Sequence, residues 1–152
     1  GIISFFLIGF GWAKPTPVNP RNYYNYKKGN IIVSMAGVIV NLVISFVLFG
    51  IIVLLEYGFG VTNVIILTIL YFIVQMNIAL CVFNLIPIPP LDGHHLISGW
   101  IARKSPKFYF YYMRYGNYVL LFLVLWGYIQ YGLYYAINGV LWVYAQFFGL
   151  FL

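Results

Sequence analysis

Charge is what this sequence has least of. Charged residues make up 7% of its 152 positions, against about 25% in an ordinary globular domain. A surface facing water cannot be covered with so few, which excludes a soluble fold. Acids are the scarcest: Glu56 and Asp92 stand alone against eight Lys and Arg, for a net charge of +6. Cysteine is nearly absent. Cys81 by itself excludes a disulfide framework and any multi-cysteine metal site. No repeat period or low-complexity tract occurs. Apolar residues are abundant, at 64% with aromatics at 22%, so intrinsic disorder is excluded as well. The few basic residues lie beside apolar runs, and no nucleic-acid partner is expected.

The apolar residues fall into long uncharged stretches. Ile31 to Leu55, Val61 to Ile86 and Gly116 to Ile137 each carry no charge. At about 1.5 Å per helical residue each can cross a hydrocarbon core of roughly 30 Å. Ile2 to Phe10 is too short to span alone, and Val140 to Leu152 fits an interfacial segment or half of a further pass. The expected fold is all-α: a single polytopic membrane domain over 1–152, with about three full transmembrane helices (31–55, 61–86 and 116–137) plus partial or interfacial segments. The chain opens on Gly1 inside an apolar run, without a charged start or a cleavage site. Its N-terminus is therefore expected to be a cut end.

The basic residues give an orientation. Lys14, Arg21, Lys27 and Lys28 lie in Trp12 to Asn30, and Arg103, Lys104, Lys107 and Arg114 in Ser98 to Tyr115. The connection Glu56 to Gly60 has none. Two spans separate the basic loops, so both face one side, which the positive-inside rule makes cytoplasmic. The excess of positive charge also favours anionic lipid. The aromatic run Phe108 to Tyr118 fits an interfacial belt.

Polar groups inside the spans follow helical spacing. Ser34, Gly37, Asn41 and Ser45 share one face of the first span, the pattern of a helix-packing stripe. Asn77, Cys81 and Asn84 share a face of the second, with Gln75 nearby. Carboxamides at that depth must face protein or water. They converge on Asn84-Leu85-Ile86-Pro87-Ile88-Pro89-Pro90-Leu91-Asp92-Gly93. Its prolines cannot continue a helix, and irregular backbone is tolerated at membrane depth only where protein or a wet cavity shelters it. Asp92 is then a lone carboxylate on a proline-broken loop, either a functional group or a cap for the helix that follows. Gly93 would permit a tight turn. Adjacent His94 and His95 cannot both point one way, so at most one is expected to join Asp92, too few ligands for zinc. Glu56 is held on the opposite side.

Phe83 to Gly93 resembles the second signature of the site-2 protease family, the intramembrane zinc metalloproteases. Four further pieces resemble its compact bacterial branch: Gly9-Phe10-Gly11-Trp12-Ala13-Lys14-Pro15 with Pro17 to Asn22, Ala36-Gly37 with Asn41, Asn77 seven residues before Asn84, and Arg114-Tyr115-Gly116. Val38 stands where the family usually has Pro, and His94-His95 where Gly, Ser or Arg is commoner. The resemblance implies Zn2+ as cofactor and Asp92 as its third ligand. It implies substrate-binding roles for Asn84 and Asn77, and as partners a membrane-protein substrate helix and the lipid bilayer. It also implies a bacterial cell membrane. In the family a His-Glu-x-x-His helix supplies the other two ligands and the general base. This sequence has no such motif, since its histidines are His94 and His95 and its Glu is Glu56. The expected protein is thus the C-terminal part of a zinc metalloendopeptidase that hydrolyses membrane-embedded substrates with zinc-activated water. The chain alone is expected to be inactive, with the missing helix upstream of Gly1. Two alternatives stand beside it: a transporter or channel fragment with Asp92 as an ion or proton site, and a catalytically dead membrane scaffold.

Overall fold

The computed structural model describes residues 26–149, and within them every regular element is helical. The chain runs through α1 (Tyr26–Val53), a single π-helical turn (Leu54–Gly58), α2 (Val64–Leu85), α3 (His94–Lys104), α4 (Pro106–Leu125) and α5 (Tyr128–Phe147). The short apolar stretch Ile2 to Phe10, the Trp-Ala-Lys-Pro region, Lys14 and Arg21 lie outside the described residues.

Two segments are long and apolar enough to cross a membrane, Ile31–Gly58 and Val64–Leu85. The first continues through Glu56 as the π turn, beyond the end expected at Leu55. α4 and α5 meet the same criterion only as a pair, bent by 75° at a short break, so the described residues hold two or three segments able to span. The uncharged stretch Gly116 to Ile137 is thereby divided between two helices. Gly127 makes the break. Its φ of +83° lies in the left-handed region that Gly adopts without a Cβ penalty. The carbonyl of Val124 is satisfied there by the Gly127 amide at 3.2 Å and by the Gln130 side-chain amide at 2.9 Å. Two other helix starts are written locally. Asn63 caps α2 by accepting from the amides of Ile65 and Ile66. Ser105 caps α4 by accepting from Phe108, with Pro106 at the first helical position.

α1 and α2 form a helical hairpin, and α5 packs back against α2. Phe49, Ile52, Val74, Ile78, Tyr144 and Ala145 make the core where the three meet. In lipid the association of such helices rests on close packing and interhelical hydrogen bonds. Ser45 supplies both. Its hydroxyl is fully buried, donates to the Leu42 carbonyl at 2.8 Å and lies 2.9 Å from the Tyr144 hydroxyl. The ring of Phe46 meets Tyr144 edge-on at 5.2 Å. The polar stripe on α1 is therefore only partly an interface. Ser34 and Ser45 are buried and Asn41 half-buried, but Gly37 is exposed, with open space where a Cβ would stand. Val38 takes the buried position beside it. The outer faces of α1 and α2 expose large apolar side chains, among them Ile32, Val43, Val47, Ile65, Phe72 and Leu80. That surface suits acyl chains and would aggregate in water.

Candidate functional site

The site begins where α2 stops. Pro87 cannot extend the helix, and Ile86 turns extended with φ −60° and ψ 125°. The chain then reverses in two tight steps. The Ile88 amide donates to the Ile86 carbonyl at 2.8 Å, and the Leu91 amide to the Ile88 carbonyl at 2.9 Å across a turn whose Pro89–Pro90 peptide is cis. The reversal brings Gly93 back onto the end of α2, where its amide donates to the Asn84 carbonyl at 2.6 Å. Gly93 is required there for space, not for turn geometry. Its φ of −59° suits any residue, but a Cβ would run into the carbonyl oxygen of Leu85 and come within 2.7 Å of that of Ile86.

α4 holds the outer side of the loop. The Tyr112 hydroxyl donates to the Pro87 carbonyl at 2.8 Å, replacing the partner that the broken helix cannot provide. One turn further on, Gly116 admits the buried ring of Pro89. A Cβ on Gly116 would come within 2.7 Å of the proline Cδ. Tyr112 and Gly116 sit at i and i+4, one face of α4. Sequence reasoning assigned the whole run to an aromatic belt and missed Tyr112. The available signal was a glycine set one turn after a tyrosine among bulky aromatics, which marks a close backbone approach.

The loop so fixed carries Asp92 half-buried at the end of α2. Gly93, not Asp92, occupies the N-cap position of α3. The two histidines that follow are brought together. The His94 ring is buried, and its Nδ1 lies 2.7 Å from the Leu91 carbonyl. A carbonyl only accepts, so Nδ1 is the donor in this contact. The His95 ring lies 3.8 Å from it, centroid to centroid. The two adjacent rings thus lie in contact, rather than pointing apart as expected. Burial, and then the neighbouring His94, lower the His95 pKa, while the Asp92 carboxylate acts in the opposite direction.

Asn84 is joined to the loop through its backbone and its side chain is half-buried. Asn77 stands about 10 Å up the helix, its Nδ2 donating to the Ile73 carbonyl at 2.8 Å. Cys81 between them is buried. Glu56 and Asp92 sit at opposite ends of α2, roughly 33 Å apart along its axis. Among the described residues no group of three or more His, Cys, Asp or Glu is placed to hold a metal ion. Zinc takes three protein ligands in a catalytic site, so this part of the chain does not make one. It presents Asp92 as a single carboxylate on a backbone held by hydrogen bonds.

Comparison with known proteins bears on the same segment. Residues 59–125 match the sequence model of peptidase family M50. The chain is also similar to a protein of Bacillus subtilis (strain 168) described as putative zinc metalloprotease YwhC, with 37% identity over 102 residues. That alignment covers 64% of this chain and 47% of the relative, so the chain spans about half the length of the curated relative it matches. No solved structure matches it. The stretch similar to peptidase family M50, residues 59–125, contains α2, the proline loop, α3 and α4.

Proposed function

We propose that this chain is the Asp-bearing part of an intramembrane zinc metalloendopeptidase of the site-2 type, seated in a bacterial cell membrane with its basic loops cytoplasmic. Asp92 is one zinc ligand. The remaining ligands and the general base come from residues outside 1–152, since the sequence contains no His-Glu-x-x-His. Zinc in such a site polarises the scissile carbonyl and lowers the pKa of its bound water. The chain's own residues position and bind. The double anchorage of the loop, to Asn84 at one end and to α4 through Pro87 and Pro89, keeps the carboxylate at one depth. Asn84 and Asn77 bind the backbone of a substrate helix that must unwind before cleavage. Asn77 keeps its carboxamide oxygen and one N–H for this, beyond the proton it gives to Ile73.

One observation carries this reading: the family match covers a loop that brings a half-buried carboxylate to the end of a helix long enough to span the membrane. The test is made in the full-length protein. Asp92→Ala and Asp92→Asn should abolish cleavage of a membrane substrate and lower the zinc content measured by plasma mass spectrometry, with insertion unchanged. Wild-type zinc and cleavage in both variants would remove Asp92 from the site. Full cleavage with zinc stripped would favour a different chemistry.

A further inference from the structure

The aromatic side of α4 has a feature that neither the fold nor the proposed site uses. Beside the proline loop lies an apolar hollow of about 260 Å³, walled by Ile88, Phe108, Tyr111, Tyr112, Tyr115 and Val119. Its walls present carbon, with no polar atom turned inward. A helix, at about 10–12 Å across, is too wide for it. An extended peptide would bring amides that find no partner there, at several kcal/mol each. A hydrocarbon chain makes no such demand.

Positive charge lies at the rim. The Arg114 guanidinium sits over the rings of Phe110 and Tyr115, at 5.9 and 5.7 Å, and Tyr115 is itself a wall of the hollow. Lys107 is two turns before Arg114 on the same side of α4. The only acidic side chains of the chain, Glu56 and Asp92, lie on other elements. We infer that this is a binding site for one anionic glycerophospholipid, its acyl chain in the hollow and its phosphate on Arg114 and Lys107. The inference rests on the apolar spans and the rim charge and is independent of the proteolytic reading. Ile88 belongs to the proline loop, and Tyr112 holds Pro87. Occupancy of the hollow therefore braces the loop that carries Asp92.

The test is native mass spectrometry of the full-length protein in neutral detergent, titrated with phosphatidylglycerol or with phosphatidylcholine of the same acyl chains. One phosphatidylglycerol should be retained at least about fivefold more strongly. The pair Arg114→Gln and Lys107→Gln should bring it to the phosphatidylcholine level. The pair Arg103→Gln and Lys104→Gln, on α3, should leave the preference intact. Val119→Trp, which fills the hollow, should weaken both lipids. Equal retention of the two lipids, or a preference lost equally with either charge pair, overturns the site. A second arm covers the case in which Val119→Trp fails to fold: Tyr115→benzoylphenylalanine, irradiated in phosphatidylglycerol vesicles. An adduct of lipid mass supports the site. A crosslinked dimer, a peptide adduct or no adduct overturns it.

Discussion

The amide of Gly93 donates to the carbonyl of Asn84 across 2.6 Å, so the residue after Asp92 is bonded to the last turns of the helix that the prolines ended. The carboxylate is thereby tied to a spanning helix although it sits on irregular backbone. Gly93→Ala tests the tie. Alanine accepts the φ of −59°, so the whole effect is steric, a methyl group against the Leu85 carbonyl. Overpacking of this kind costs about 1–3 kcal/mol. The melting temperature in detergent should fall accordingly. Gly99→Ala, with nothing within 4 Å of the added carbon, should melt at or above wild type.

Tyr112→Phe leaves the Pro87 carbonyl without its hydrogen bond while keeping the ring. The bond is exposed, so its loss is worth about 0.5–1.5 kcal/mol. The measurement is the infrared amide I frequency of carbonyl-labelled Pro87, which should rise in Tyr112→Phe and stay unchanged in Tyr111→Phe. Gly116→Ala presses on Pro89 of the same loop. Its destabilisation should therefore combine non-additively with that of Tyr112→Phe, since both act on one element.

His95 gives a pH dependence. Its pKa is lowered in the folded chain, first by burial and then by His94. The unfolded chain, with a value near 6.5, binds the proton more readily. Stability is therefore undiminished above that pH and falls as pH drops below it. Melting temperatures between pH 8 and about 5 should show the decline, and His95→Gln should flatten it. Asp92→Asn removes the carboxylate that raises the His95 pKa, so its titration midpoint by NMR should move further down.

Much of this was legible in the sequence. Ile31 to Leu55 and Val61 to Ile86 announce themselves because lipid forbids charge inside a span, and their helices follow within a few residues. The proline loop was legible because proline removes a donor and blocks the turn before it. The contacts that fix the loop were not. Gly93 and Gly116 were visible only as permissive residues. Their actual role, letting a carbonyl and a proline ring approach, depends on which helix lies opposite, and helical spacing does not reveal that. The tilted contact between the His94 and His95 rings was likewise not legible in the sequence.

The third uncharged stretch shows the same limit and yields the last prediction. Hydropathy continues smoothly through Trp126 and Gly127, because a glycine removes no apolar count, yet the helices on either side diverge by 75°. The left-handed φ of Gly127 causes the bend, and Gln130 stabilises it by donating to Val124. Any L side chain at position 127 meets a penalty of about 1–2 kcal/mol in that conformation, whereas continuous helix has no such penalty. Gly127→Ala combined with Gln130→Leu should therefore shift the equilibrium toward one straight helix. Spin labels at Val119 and Tyr135, read by pulsed electron paramagnetic resonance in bilayers, should report a longer separation in the double variant. An unchanged separation would mean that packing of α5 on the Phe49 and Val74 core sets the bend, with the glycine merely accommodating it.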